Sequence, residues 1–417
     1  MKETKIQTIS RTLKRTYLET HPWITFKLDL KKAPYRLWLD LGAIQSKIEH
    51  VANALLPPEV AEYLHSLYLA KGVHATTAIE GNTLSEDQVH DRIVKKTSLP
   101  ESKEYLGKEI DNIVQACNDI GEEVLSGKDA RLTVAQIKTF NRLALNNLPL
   151  DKETIPGEFR RFSVGVENYR GAPWEDCECL IERLCQWLND EIKSPDPDLA
   201  IGFAVIRAIM AHLYIAWIHP FGDGNGRTAR LVEFHIFLSG RAPSIAAHLL
   251  SNFYNQTRTE YYRQLDLASK SPVGPIHFLG YAVRGLRDAL DDQIQWIQAY
   301  QWEIAWRDYV YEKFRGMKGE GAERCRLLAL ELPHAQQRSV SISQLKRLTP
   351  DIAVLYASKT DKTLTRDLNK LREMKLIRRV GKRVKINRAI LTRLLPKRRA
   401  YDNADNKELI QEGKGSS

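Results

Sequence analysis

Twelve consecutive residues, His219-Pro220-Phe221-Gly222-Asp223-Gly224-Asn225-Gly226-Arg227-Thr228-Ala229-Arg230, gather the groups that phosphoryl chemistry needs. Glycines at alternate positions let a backbone come close to a ligand and turn through positive φ. An apolar run ends at His219 and a new helical pattern starts near Arg227. The N–H groups that open a helix form an anion site. Arg227 and Arg230, three apart, share a helix face and suit bidentate contacts to phosphate oxygens. Asp223 suits Mg²⁺, which binds through one or two carboxylates together with substrate phosphates. His219 is the candidate base for a hydroxyl nucleophile. No Lys-Ser/Thr pair follows the glycines and no strand precedes them, which excludes a Walker A loop and a dinucleotide-binding turn.

The elements that must position this loop are helical. Leu199 to Ile218 is almost wholly apolar but carries Arg207 and His212. Both residues are costly in lipid, so the run predicts a fully buried helix rather than a membrane span. Upstream, Pro57-Pro58 opens a helix with apolar positions Val60, Leu64, Leu67 and Tyr68, running toward Glu80 and stopped by Gly81-Asn82. Ser85 caps the next helix. Thr76 and Glu80 lie at i and i+4 on one face of the first of these. Glu80 falls in its last turn, where the helix dipole disfavours an anion and calls for a cationic partner. From Phe159 to Pro173 the pattern alternates, with Phe162, Val164 and Val166 on one side. A hairpin with its turn over 167–171 is expected there. Helices resume at Trp174 and continue to about Tyr311, and no internal repeat is visible.

The net charge of +10 over 417 residues is unevenly spread. Residues 321–400 hold 21 Lys and Arg against 6 Asp and Glu, so the rest of the chain is net negative. Such a surplus marks a separate basic module with an anionic partner. The five cysteines, Cys117, Cys177, Cys179, Cys185 and Cys325, match no zinc spacing and read as helix packing residues in a reducing, cytoplasmic setting. Met1 to Arg15 has no apolar stretch and does not read as a secretory signal.

The 219–230 segment resembles the signature of the Fic family, HPFx[D/E]GNGRxxR, at every defined position. The fold implied is mainly α: a Fic-type helical core with a short β-hairpin flap, followed by a winged helix-turn-helix domain. The expected organisation is an N-terminal helical region over 1–126 with an inhibitory helix near 62–80, the core over 127–315, and a linker at 316–322. A winged helix domain over 323–396 and a disordered tail over 397–417 complete it.

The activity implied is transfer of AMP from ATP to a Tyr, Ser or Thr hydroxyl of a protein target, which includes the chain itself. In that reading His219 deprotonates the hydroxyl and Asp223 holds Mg²⁺ (or Mn²⁺). Gly224, Asn225 and Gly226 cradle the phosphates, Arg227 and Arg230 bind the phosphate chain, and Phe221 anchors the loop. Glycine at 226, where the Doc-like kinases of the family carry Lys, favours AMP over γ-phosphate transfer. Thr76 to Asn82 resembles the family's inhibitory motif [S/T]xxxE[G/N], which implies that Glu80 pairs with Arg230 and holds the enzyme off.

The hairpin resembles the target-docking flap, with Val164, Gly165 and Val166 as its edge. Asn255 and Tyr262 fall where the family places adenosine contacts. The basic module resembles a winged helix whose recognition helix, Thr360 to Met374, offers Lys362, Thr363, Arg366 and Lys370, with Lys382 and Arg383 on the wing. DNA is the partner such a helix suits. Two competing readings are a DNA-binding regulator that uses the core as a nucleotide sensor, and an enzyme that removes AMP. An intact His219 speaks against pure sensing. A homodimer is a further expectation, and a membrane partner is not expected.

Overall fold

A computed structural model describes residues 15–127, 131–166, 169–334 and 339–392, and in it helices open where the sequence supplies a cap. After α1 (Tyr17–Thr20) and α2 (Tyr35–Ala52), α3 (Pro58–Ala78) begins on its proline pair. Then α4 (Glu86–Lys95) starts from a capping box in which Ser85 and Gln88 satisfy each other's backbone N–H groups. Following α5 (Glu104–Leu125), the same device, Thr133 with Gln136, opens α6 (Val134–Ala144).

A two-stranded antiparallel hairpin follows, β1 (Gly165–Val166) and β2 (Tyr169–Arg170), with Gly165 opposite Arg170. It is smaller than the alternation predicts. Tyr169 and Arg170 lie in a strand rather than in the turn expected over 167–171, because the sheet closes on Val164 through the Gly171 N–H.

The apolar run forms α8 (Ala200–Ile218), preceded by α7 (Cys177–Gln186). By length and composition α8 is able to cross a membrane, yet α2, α7 and α9 (Asn225–Ser239) enclose it. Val205, Ile209, Met210, Leu213 and Ile215 are fully buried there, each contributing roughly 1.5–3 kcal/mol of hydrophobic stabilisation. His212 is buried as well, its Nε2 2.8 Å from the Tyr261 hydroxyl and its Nδ1 3.5 Å from Glu233. Packed around α9 are α3, α5 and α6. Then come α10 (Ser244–Ala247), α11 (Leu249–Gln256), α12 (Arg258–Ala268) and the 40-residue α13 (Gly274–Lys313).

The chain divides into two compact units, 1–295 and 296–417. The division falls inside α13 and not at the glycines of 316–322, where α14 (Glu320–Glu331) already begins. The second unit buries Trp306, Val310 and Phe314 of α13 with Cys325, Leu328, Ile352, Leu364, Leu371 and Val384. Its elements are α14, β3 (Val340–Ser341), α15 (Pro350–Tyr356), α16 (Asp361–Glu373), β4 (Ile377–Val380), β5 (Arg383–Ile386) and α17 (Ala389–Thr392).

The sheet is three-stranded and antiparallel, in the order β3-β5-β4. β3 is only two residues long, too short for a period to register. A 3₁₀ turn, Ile342–Arg347, leads from β3 into α15. Within this core Asp367 accepts from Arg324 at 3.0 Å and from the Tyr356 hydroxyl at 2.9 Å. The expected tail, 397–417, lies outside the described residues.

Candidate active site

The loop joins α8 to α9, and its geometry follows from how each helix ends. His219 terminates α8 in the left-handed region, φ 51°, ψ 58°, with its N–H on the Ile215 carbonyl at 2.8 Å. A non-glycine residue in that region is uncommon and persists when its surroundings over-determine it. Here the surroundings are Arg160, whose Nε donates to the His219 carbonyl at 2.7 Å. Gly224 then turns the chain into α9 with φ 73°. Asn225 bridges the loop, its Oδ1 accepting from the Phe221 N–H and its Nδ2 donating to the Phe221 carbonyl, each at 2.9 Å. From below, buried Asn141 donates to the Asp223 carbonyl at 3.0 Å and accepts from the Gly157 N–H at 2.9 Å. Phe221 is buried and packs on Phe159, the anchor the sequence suggests.

The two arginines of α9 are almost completely buried and have separate carboxylate partners. Arg227 Nη1 meets Glu109 at 3.1 Å and Nη2 meets Asp223 at 3.1 Å. Glu109 also accepts from Asn82 at 2.8 Å, tying α5 to the turn that carries Glu80. Arg230 Nη2 donates to Glu80 Oε1 at 2.5 Å and to the Thr76 carbonyl at 2.9 Å. Thr76 thus takes part through its backbone. The Nε and Nη1 of Arg230 have no hydrogen-bond partner among the described residues. A buried guanidinium with unpaired donors is a site for an added anion.

Glu80 lies one residue past the α3 C-cap, Ile79, rather than in the last turn. Its carboxylate rests against Gly226, where a Cβ would overlap Oε1. Glycine at 226 is therefore what lets the carboxylate reach the N-terminus of α9. Burial alone would raise the Glu80 pKa, but the charge and hydrogen bond of Arg230 hold it below the ordinary value.

The C-terminal carbonyls of α3 receive further cations and donors, as its dipole favours. Arg258 Nη1 donates to Ala78 at 3.3 Å and the Tyr262 hydroxyl donates to Ile79 at 3.4 Å. Tyr262 is half-buried beside the Glu80 segment, and Asn255 is half-buried on α11. Tyr254 and Tyr261 are core residues, Tyr254 donating to Glu233 at 3.1 Å.

Burial pushes the His219 imidazole down to about 4, against the pull of the Ala216 carbonyl, with Arg160 adding to the depression. Nδ1 faces that carbonyl at 3.4 Å, which favours the proton on Nδ1 and leaves Nε2 as the lone-pair nitrogen. Burial pushes His248 lower still, to about 3. An unfolded imidazole titrates near 6.5. Below that pH the unfolded chain binds protons that these two folded histidines refuse, so stability falls as pH falls. Glu80, with its depressed value, adds a loss of the same sign below about 4.5. Urea midpoints are expected to be level above about pH 6.5 and to drop steadily by about pH 5; a flat profile would contradict the buried neutral histidines.

Arg160, Glu109, Asn141 and Arg258 carry no motif, and the sequence does not single them out. Val164 is half-buried and Gly165 exposed on the hairpin. His21 and Tyr169 fix that hairpin, His21 Nε2 lying 2.8 Å from the Arg170 carbonyl and Tyr169 donating to the Trp217 carbonyl at 2.7 Å. In the second unit Lys362, Arg366 and Lys382 are exposed, while Thr363 and Lys370 are half-buried. Arg383 donates from Nε to the Ser339 hydroxyl at 2.8 Å and from Nη2 to its carbonyl at 2.5 Å, a structural tie rather than an outward-facing cation. The cysteines are free, all but Cys179 buried.

Comparison with known proteins agrees with the loop and the fold. The family model described as Fic/DOC family matches residues 131–237. The protein adenylyltransferase fic-1 of Caenorhabditis briggsae is 28% identical over 248 residues, 58% of this chain and 43% of its own length. The protein adenylyltransferase Fic of Drosophila sechellia is 27% identical over 300 residues, 70% of this chain and 53% of its own length. The chain therefore spans about half the length of the curated relatives it matches. Among solved structures, a Fic family protein from Desulfovibrio desulfuricans G20 superposes with a TM-score of 0.50 at 21% identity. It covers 84% of this chain and 95% of its own, which is a likeness of fold. With the complete 219–230 signature set between two packed helices, residues 131–237 are similar to the Fic domain that the family model describes.

Proposed function

We propose that the protein transfers AMP from ATP to a hydroxyl of a protein segment docked along β1, and that Glu80 restrains this transfer. One observation carries the reading. The anion site formed by Arg230 and the N-terminus of α9 is filled by the chain's own carboxylate, Glu80, beside a histidine held neutral. A site built to hold a mobile anion next to a base is what phosphoryl transfer to a hydroxyl requires. The names of the relatives, protein adenylyltransferases, support the same reading.

In this mechanism the triphosphate lies on the N–H groups of Gly224 to Gly226, with Arg227 and Arg230 along its oxygens and adenosine toward Asn255 and Tyr262. His219 Nε2 takes the hydroxyl proton as the oxygen bonds to the α-phosphorus. The bond from that phosphorus to the bridging oxygen breaks, and pyrophosphate leaves. The hairpin edge at Val164 to Val166 aligns the target segment by strand addition.

Asp223 is half exposed, and its Oδ1 is engaged by Gly224 and Arg227. No cluster of three metal-binding side chains occurs among the described residues. A lone carboxylate beside a phosphate cradle fits Mg²⁺ or Mn²⁺ carried by the nucleotide rather than caged by protein. When bound, such an ion offsets charge on the phosphate oxygens. Intact-mass measurement of Glu80→Gly incubated with ATP and Mg²⁺ tests the reading. A gain of one AMP, lost in Glu80→Gly/His219→Ala, is expected; a gain of one phosphate would replace it with kinase chemistry.

A second reading concerns the basic unit, where Lys362 and Arg366 of α16, Arg378 and Arg379 of β4, and Lys382 are all exposed. We infer a winged helix that binds duplex DNA by these cations. Binding is expected to weaken with salt at a log–log slope of about −3 to −5, from roughly four to five phosphate contacts. Salt-independent or absent binding would make the unit a protein-interaction module instead.

A further inference from the structure

The last carbonyls of a helix have no partners within it and must find them elsewhere. From Trp217 to Pro220 they find them in a single neighbouring segment. The Trp217 carbonyl accepts from the Tyr169 hydroxyl at 2.7 Å, and the Ile218 carbonyl from the Ala172 N–H at 3.2 Å. The Pro220 carbonyl accepts from the Arg160 N–H at 3.0 Å. Between them lies the Arg160 guanidinium, only 3% exposed. Its Nε donates to His219 at 2.7 Å and its Nη1 to Phe162 at 2.7 Å. Its Nη2 donates to Ala172 at 2.5 Å and reaches Ile218 at 3.4 Å. Two of these four carbonyls end α8 and carry the candidate base. The other two are the feet of the β1–β2 hairpin.

We propose that Arg160 is the positioning residue of this site: one buried guanidinium locks the backbone of His219 to both feet of the hairpin, so the base and the target-docking edge form one rigid body. The proposal rests on reading His219 as the base and the hairpin as the docking flap. Arg160 supplies five donors in a fixed fork, which a lysine cannot match. A cation at a helix C-terminus is also stabilised by the dipole. Among the described residues no other group donates to the left-handed His219 carbonyl. Without the clamp, His219 can relax toward an ordinary backbone conformation and its ring leaves the line of attack. A misplacement of about 1 Å is enough to cost roughly 10²-fold in rate.

Electrostatics provide an independent signature. The charged groups acting on His219 are Arg160 from the hairpin foot, Glu80 after α3 and Asp223 in the loop. Arg160 disfavours the imidazolium and the two carboxylates favour it. Removing the Arg160 charge therefore moves the His219 titration upward, and any loss of the burial that dominates the depression moves it the same way, so the charge-keeping Arg160→Lys is what separates the two.

The test uses the full chain with Arg160→Met and Arg160→Lys, each alone and in the Glu80→Gly background. Three readouts are followed: tryptic cleavage at Arg161 and Arg170, the His219 ring titration by NMR, and single-turnover AMP transfer with ATP affinity. For Arg160→Met, hairpin cleavage is expected to rise about tenfold or more, the histidine titration to move up, and transfer to fall roughly 10²-fold. ATP affinity should stay within about twofold. Arg160→Lys should restore the titration, because it keeps the charge, but not the cleavage rate or the transfer. Wild-type cleavage and titration in a folded Arg160→Met protein would overturn the proposal. If that variant does not fold, wild-type cleavage in Arg160→Lys would do so. Should the Glu80→Gly parent transfer no AMP, the functional reading fails, while cleavage and titration still decide the role of Arg160.

Discussion

Replacing Glu80 by glycine is expected to raise the rate of AMP transfer by about two orders of magnitude. The Arg230 guanidinium is 1% exposed and the Glu80 side chain 29% exposed, so their bond is screened far less than a surface pair. A phosphate that takes the Nη2 edge of Arg230 must first displace that carboxylate. Separating such a pair costs about 3 kcal/mol, and each 1.4 kcal/mol is about a factor of ten. Glu80→Gln separates charge from bulk. The amide still lies against Gly226, so its gain should be clearly smaller than that of glycine.

The same change should destabilise the nucleotide-free protein by about 2 kcal/mol, because Arg230 is left buried with its charge unpaired. Saturating ATP should restore the loss, since an anion then takes the vacated place. Rate assays and thermal shifts with and without ATP measure both effects. A soluble, folded Glu80→Gly protein with the wild-type rate would show that Glu80 is not a brake.

The contrast between Glu80 and Arg160 explains how far the sequence could be read. The loop from His219 to Arg230 is legible because its chemistry is contiguous, twelve residues whose spacing is set by one helix end and one helix start. Glu80 is legible because a helix end makes an anion there costly and so demands a partner. The buried α8 is legible from apolarity on every face.

Arg160, Glu109, Asn141 and Arg258 act through partners 59, 118, 82 and 180 positions away, which no local period encodes. Nor does sequence separate an arginine that grips phosphate from one already held. Arg227 and Arg230 share a face, yet their partners are Glu109 with Asp223 for one and Glu80 with Thr76 for the other. In the second unit β3 and α15 escape notice because two residues and seven residues are too short for a pattern to stand out.

His219→Ala in the Glu80→Gly background should lower AMP transfer by about 10²- to 10⁴-fold, the range typical of a lost general base. ATP affinity should change by less than about threefold, because the phosphates rest on α9 and its arginines rather than on the imidazole. The pH profile gives a sharper signature. In the free protein His219 is held down to about 4. A base works only when unprotonated, so transfer is retained as pH falls through neutrality and lost as pH approaches that value.

Bound ATP brings several negative charges close to the ring, and these raise its pKa toward neutrality. The base therefore becomes stronger only when the nucleotide is in place. The acid limb of kcat, which reports the complex, should lie at higher pH than the acid limb of kcat/KM, which reports the free protein. Both limbs are readable before acid unfolding takes hold if the protein is assayed briefly after a pH jump. Coincident limbs, or an active His219→Ala protein, would remove the imidazole from the proton transfer.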